Sequence, residues 1–243
     1  MTNDVQILNN GYPMPAVGLG VYKIADEQME EVVRTALDAG YRAFDTAYFY
    51  GNEKALGSAL KHSNVERDEL FITSKLWNDY QGYDQTIEYF NKSLDNLGLD
   101  YLDLFLIHWP CENDQLYIES YKALEHLYEE GKIKAIGVCN FKIHHLEKLM
   151  KETKITPQVN QIELHPYFNQ QDVQDFCDEH DIKVTAWMPL MRNKGLLDDP
   201  VITDIAHRYD KTPAQIVLRW HLAHNRIIIP KSQTPKRIKE NFR

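Results

Sequence analysis

Asp45, Tyr50, Lys75 and His108 are the residues of this chain whose types and places point to chemistry. Asp45, Lys75 and His108 each close a short apolar run: AF, FITS and LFLI in turn. Tyr50 lies just beyond Asp45 in a tyrosine-rich turn, from which Gly51 and Asn52 let the chain enter a helix starting at Glu53. A carboxylate, a phenol, an ammonium and an imidazole gathered at one rim can move protons and stabilise charge developing on a reacting oxygen. A single Asp or His at a strand end is more often a cap or a satisfied polar group. Four such groups, from three strands and one loop, are harder to assign to capping and point to proton transfer at a reacting oxygen instead.

The elements that must bring them together follow from hydrophobic spacing. Val5–Pro15 alternates around the turn dipeptide Asn10-Gly11 and predicts a short N-terminal hairpin capping one end of the fold. Strand and helix then alternate. Glu27–Ala39 carries Met29, Val32, Val33, Ala36 and Leu37 at helical spacing and stops at Gly40. Leu102–His108 is a nearly continuous apolar run, as a strand covered on both faces should be. Thr212-Pro213 and Thr234-Pro235 have the cap-then-proline form of helix starts. Eight core strands with helices between them, and no linker, favour a (β/α)8 TIM barrel over an open doubly wound sheet. A single domain over residues 1–243 is expected, with the active site at the C-terminal strand ends where the βα loops converge.

Composition narrows the function classes. A net charge of −9 excludes a general nucleic-acid or anionic-membrane surface, so neither partner is expected. Cys111, Cys139 and Cys177 lack any CxxC spacing, and a reduced cytoplasmic setting follows. Thr2–Gln6 is polar, with no basic segment leading into an apolar one, and no apolar run reaches the roughly 20 residues a membrane helix needs. No metal site is expected: His144 and His145 are adjacent and cannot share one helix face, and His221 and His224 sit on an outer helix.

Seven segments in order, FDTAYFYGNE (44–53), SKLW (74–77), LIHWP (106–110), AIGVCNF (135–141), NQIELHP (160–166), AWMPL (186–190) and IIIPKSQTPKRIKENF (227–242), give the chain a resemblance to the aldo-keto reductases over nearly its whole length. Small bacterial members of the diketogluconate and glyoxal reductase type resemble it most. The family fold is the same barrel. The resemblance implies reduction of aldehydes and ketones by hydride from NADPH, with Asp45, Tyr50, Lys75 and His108 as a catalytic tetrad. Tyr50 would be the general acid, its pKa lowered by the Lys75 ammonium, which Asp45 holds; His108 would orient the carbonyl oxygen. The alignment through GNE selects Tyr50 over Tyr48, whose alternative role is packing.

Cofactor binding is not of the Rossmann kind, since no GxGxxG joins a strand to a helix. Lys231, Ser232 and Arg237 instead surround the start of the last helix, where free N–H groups and the helix dipole favour an anion. In the family the matching residues grip the 2′-phosphate of NADPH, and Glu240 and Asn241 contact adenine. Asn140 and Gln161 match the carboxamide-binding residues, and Trp187 matches the stacking position over the nicotinamide. Pro189 and Leu190 belong to the loop over the pyrophosphate. Tyr22, Trp77, His108 and Trp109 are expected to line an apolar substrate pocket.

Three departures from the family pattern stand out. Cys139 replaces the usual serine beside Asn140, and a thiol is the weaker hydrogen-bond partner. Met188 and Met191 enlarge a loop that is commonly small, with Arg192 and Lys194 offering compensating charge. The sequence ends at Arg243, where relatives continue into a tail that helps close the pocket; the expectation is either a mobile tail beyond this point or a shortened form with a more open site. A monomer acting on a small carbonyl compound is the expected state. The alternative is a non-catalytic NADP(H)-binding sensor or partner subunit on the same fold.

Overall fold

The computed structural model describes residues 4–243. Gly11, at φ 84°, turns strand β1 (Val5–Ile7) back onto β2 (Pro13–Pro15), with Ile7 opposite Pro13. Leu8 and Met14 are buried against Ala43, Phe71 and Leu104 of later strands, so this hairpin plugs the end of the barrel where strands begin. The Tyr12 hydroxyl secures the plug by donating to Asp103 Oδ1 at 2.7 Å.

The repeating part runs β3 (Gly18–Gly20), α1 (Asp26–Ala39), β4 (Ala43–Asp45), α2 (Glu53–Lys61), β5 (Phe71–Leu76), α3 (Tyr83–Leu97), β6 (Leu102–Ile107) and α4 (Asp114–Glu129). It continues with β7 (Ile133–Cys139), α5 (Ile143–Glu152), β8 (Val159–Glu163), α6 (Gln171–Glu179) and β9 (Lys183–Trp187). Helices α7 (Pro200–Tyr209) and α8 (Pro213–Ala223) precede β10 (Ile227–Ile228), and α9 (Pro235–Phe242) ends the described chain. Strands β3 to β10 form one parallel sheet in sequence order. A parallel bridge between Val17 and Ile228 brings the last strand back to the first and closes the barrel.

Sequence and structure agree element by element, and the differences have local causes. β10 is shorter than its apolar run: Ile229 N–H still reaches the Ala186 carbonyl of β9 at 3.4 Å, but Pro230 has no N–H with which to continue the ladder. The Pro230 carbonyl instead accepts from Gly20 N–H at 3.2 Å. Helix α1 ends at Gly40, whose φ of 111° is left-handed and whose N–H bonds Ala36 and Leu37 carbonyls. Thr212 caps α8 as expected, its Oγ1 accepting from Gln215 N–H at 3.2 Å. Thr234 does not cap α9; its own N–H donates to Ser232 Oγ at 3.2 Å, so the hydroxyl of Ser232 orders the entry.

The larger core lies between sheet and helices, and the hairpin side of the barrel interior is filled by its own apolar cluster. Helix α9 is fastened across α1 by Tyr41, whose hydroxyl donates to the Ile238 carbonyl at 3.2 Å and whose ring lies 4.5 Å from that of Phe242. Among the described residues, no helix is long and apolar enough to cross a membrane.

Candidate active site

Four strands deliver the polar groups to one rim. Asp45 ends β4, Lys75 is the next-to-last residue of β5, His108 follows β6 and Gln161 stands within β8. Tyr50 is carried by the 3-10 turn Tyr48–Tyr50 that leaves β4, and Gly51, at φ 70°, redirects the chain into α2. Parallel register sets their depth: Asp45 pairs with Thr73, so Lys75 reaches one pleat further, on the same side of its strand. Lys75 Nζ donates to Asp45 Oδ1 at 2.5 Å and to the Thr46 carbonyl at 2.8 Å. The second oxygen of Asp45 accepts from Gln161 Nε2 at 2.9 Å. Both carboxylate oxygens are therefore engaged.

Tyr50 lies above this pair, with the Lys75 ammonium 5.2 Å from its ring centroid. Its ring sits 4.8 Å from that of Tyr22 and 5.7 Å from that of His108, edge-on to the latter. Tyr48 points elsewhere, edge-on against Tyr80 and Tyr89 at 5.6 and 5.0 Å. The packing role weighed for Tyr48 is the one it has.

Burial dominates the electrostatics, and it corrects one expectation. Desolvation pushes the Tyr50 phenol up to about 12; the charge of Lys75 and its hydrogen bond pull it down, while Asp45 and Cys139 push it up. The ammonium lowers the phenol, as anticipated, but does not outweigh the loss of water. Burial alone would lower Lys75, yet Asp45, Tyr50 and Cys139 together outweigh it and the ammonium is held charged. His108 is driven down to about 3 by burial and then by the charge of Lys75, so its imidazole is neutral. Cys139 is 1% exposed, and burial raises its thiol, which stays protonated beside the Lys75–Tyr50 pair.

From this rim a cleft of about 970 Å³ runs to the start of α9. Asp45, Tyr50 and His108 line one end, together with Tyr22, Trp77 and Trp109. The rings form a connected wall: Trp77 meets His108 edge-on at 5.2 Å, and Trp109 meets Trp187 at 6.5 Å. Cys139, Asn140, Gln161, Trp187, Pro189 and Leu190 line the middle. Lys231, Ser232, Arg237, Glu240 and Asn241 line the far end. Every residue assigned by resemblance to cofactor or substrate borders this one space, and Lys75, 1% exposed, stands behind it.

The chain matches the aldo/keto reductase family model over residues 16–243. It is an aldo/keto reductase. Glyoxal reductase of Bacillus subtilis (strain 168) is 49% identical over 98% of this chain and 86% of its own length. Methylglyoxal reductase DkgA of Escherichia coli (strain K12) is 49% identical over 97% of this chain and 85% of its own. A crystal structure of an Asp-to-Ala mutant of Gox0644 in complex with NADPH superposes with a TM-score of 0.94, at 43% identity, over 99% of this chain and 87% of that one.

Within this aldo/keto reductase, two amides have less freedom than their matched roles imply. Asn140, held at φ 61°, gives Nδ2 to the His108 carbonyl at 3.0 Å and accepts the Trp187 indole N–H on Oδ1 at 2.8 Å. Gln161 spends an amide N–H on Asp45. What remains for a ligand is chiefly Gln161 Oε1 and the second N–H of Asn140. The loop after β9 takes its bulk by unusual backbone geometry: Met188, Met191 and Arg192 have φ of 51°, 52° and 49°, left-handed values that cost non-glycine residues roughly 1–2 kcal/mol each. Met188 and Arg192 still border the cleft, and Arg192 Cζ comes to 5.9 Å from the Tyr22 ring.

Several lining residues escaped the sequence reading, Phe49 and Lys23 among them. Phe49 is half-exposed and stacks on Trp77 at 3.8 Å, extending the aromatic wall. Three adjacent aromatics, Tyr48, Phe49 and Tyr50, in a turn with no strict periodicity gave no signal for which would face the cleft. Lys23 lies near enough to Lys231 to lower its ammonium after burial has done so. Two cations close enough to repel one another on one wall of the cleft favour an anion between them. Among the described residues, no group of three or more His, Cys, Asp or Glu is placed to hold a metal ion.

Proposed function

We propose that this reductase converts small aldehydes and ketones to alcohols with NADPH, and that Tyr50 donates the proton. The observation that carries this reading is the buried Lys75 ammonium, clamped by Asp45 at 2.5 Å and by the Thr46 carbonyl at 2.8 Å, directly behind the Tyr50 ring. Bound NADPH supplies the hydride. A carbonyl oxygen that gains charge as its carbon is reduced needs donors already aimed at it. Tyr50, protonated up to about 12, is such a donor, and an alkoxide is a stronger base than a phenolate, so the proton passes downhill. The phenolate left behind is stabilised by the ammonium beneath it. His108 is the second donor. Its Nδ1 is buried with no partner, so a proton there would go unsatisfied, and the N–H belongs on Nε2 for the cleft.

The other end of the cleft fits a phosphate-bearing cofactor. Burial and Lys23 both lower the Lys231 ammonium, and an anion between them relieves that cost. Helix α9 adds first-turn N–H groups with no intrahelical acceptor, and Arg237 offers a planar fork suited to the 2′-phosphate. Glu240 and Asn241 stand near for the adenine. Trp187, its indole N–H pinned to Asn140, presents a fixed ring face for the nicotinamide, whose carboxamide would meet Gln161 Oε1.

The test is NADPH absorbance followed with glyoxal, methylglyoxal and an aromatic aldehyde, the first two chosen because relatives carry their names. Tyr50→Phe keeps the ring against Tyr22 and is expected to lower kcat by about 100-fold or more with NADPH affinity unchanged. Undiminished turnover in that variant would refute the assignment.

A further inference from the structure

Asn52 occupies the N-cap position of α2, where an asparagine ordinarily accepts a hydrogen bond from the helix's own first turn. Here the side chain makes no such bond. It is turned instead into the barrel rim and is 3% exposed. Its Oδ1 accepts from the Thr46 hydroxyl at 2.8 Å and its Nδ2 donates to the Val21 carbonyl at 2.8 Å. The helix forgoes a cap so that one amide can join two βα connections.

Those two connections hold the proposed chemistry in place. Thr46 is fully buried, and its carbonyl is the second acceptor of the Lys75 ammonium. Val21 N–H donates to the Asp45 carbonyl at 3.0 Å, and the next residue, Tyr22, lays its ring 4.8 Å from that of Tyr50. On its other side Asn52 is separated from Tyr50 by Gly51 alone, at φ 70°. The 3-10 turn bearing Tyr50 is therefore first attached downstream of Gly51 at Asn52, ahead of the buried Glu53, whose carboxylate accepts from the Ser74 hydroxyl at 2.6 Å and from Asn96 Nδ2 at 3.0 Å. The same side chain fixes the segment under the ammonium and the segment behind Tyr22.

We propose that Asn52 is the positioning residue that sets the Tyr50 hydroxyl against the Lys75 ammonium during carbonyl reduction, acting through Thr46 and Val21. The inference rests on the reading of Tyr50 as proton donor. Asn52 touches neither cofactor nor substrate in this role. It keeps the donor and its charged neighbour at one separation while the loops around them accept a ligand. A displacement of about 1 Å at a reacting group is enough to cost on the order of 100-fold in rate.

The experiment compares Asn52→Ala, Thr46→Val and Thr46→Ser with the wild-type enzyme and with Tyr50→Phe. Steady-state kinetics with methylglyoxal are paired with NADPH affinity from fluorescence titration and with the pH profile of kcat. Asn52→Ala is expected to lower kcat by about 10- to 100-fold with NADPH affinity within twofold, and to move the alkaline limb upward, because a phenol farther from the ammonium holds its proton more tightly. Thr46→Val, which removes only the hydroxyl donor to Asn52, is expected to move both readouts in the same direction by less. Thr46→Ser, which restores that donor, is expected to bring kcat back toward the wild-type value. A general loosening of the fold would lower kcat and cofactor affinity together and leave the pH profile of the remaining activity where it was; that result overturns the proposal. Wild-type kcat in Asn52→Ala, with Tyr50→Phe inactive, overturns the proposal and leaves the role of Tyr50 standing. Activity in Tyr50→Phe overturns both. Should Asn52→Ala fail to fold, the Thr46 pair decides alone: equal kcat in Val and Ser variants defeats the proposal, and a Ser variant well above the Val variant supports it.

Discussion

Lys75→Met separates the structural part of the buried ion pair from its chemical part. The side chains of Lys75 and Asp45 are 1% and 6% exposed, and their charged atoms stand 2.5 Å apart. Methionine follows the lysine stem closely in volume, so little cavity forms. What is lost is the countercharge: the Asp45 carboxylate remains buried with one amide N–H from Gln161 at 2.9 Å. Breaking a buried pair on one side costs about 3–5 kcal/mol. For a chain of this length that corresponds to a fall in melting temperature of roughly 6–20 °C. The companion is the double variant Asp45→Asn with Lys75→Met, which leaves two neutral side chains and no buried unpaired charge. It should recover about 2 kcal/mol or more relative to the sum of the single losses. Urea unfolding of the wild type, both single variants and the double variant gives the four free energies of the cycle. Strictly additive losses, or a Lys75→Met loss below about 1 kcal/mol, would refute the claim that these charges are desolvated and mutually dependent.

Two further expectations follow from the far end of the cleft and from its histidines. Arg237→Ala should weaken NADPH binding by about 10-fold or more, the worth of a charge-assisted hydrogen bond, and leave NADH binding unchanged; fluorescence titration with both cofactors checks it, and equal losses would remove the 2′-phosphate from the argument. Burial holds both His108 and His221 near a pKa of about 3, so between about 6.5 and 3 the unfolded chain takes up protons at these sites that the folded chain does not. Stability should therefore fall as pH falls through that window, by about 1.4 kcal/mol per pH unit for each group. Urea midpoints at pH 7, 6 and 5 should decline, and the slope should be shallower in His221→Leu; a midpoint independent of pH would contradict the burial of both rings.

The barrel was legible because its periodicities are clean, and the rim because its four polar residues interrupt apolar strand ends. A run such as LDLFLI is buried along its whole length, and the polar residue that follows it is where the loop begins. What could not be read was depth. The sign of the Tyr50 shift depends on how much water the aromatic wall excludes, and that wall is assembled from Tyr22, Trp77 and His108, far apart in the chain. The division of Gln161 between Asp45 and the cleft is likewise set by neighbouring strands, since its amide could face either side of the register. Thr234 illustrates a smaller failure: its proline signature placed the helix start correctly, but the competing hydroxyl two residues earlier took its backbone N–H. Asn52 carried the opposite message, a residue type that signals a cap and is not used as one.

The placement of charge along the cleft explains how a chain of net charge −9 can be built to hold an anion. Charges screened over a Debye length of about 8 Å make the distant acidic surface nearly irrelevant to a site that carries its own cations. Lys23, Lys231 and Arg237 supply those at the α9 end. At the opposite end the formal charges are paired and nearly buried, Asp45 with Lys75, and beside that pair the cleft presents a neutral phenol and a neutral imidazole. On the proposed mechanism, neutral donors with a buried cation behind them interact weakly with an uncharged carbonyl and strongly with the oxyanion it becomes. That difference, and not the strength of either interaction alone, is what lowers a barrier.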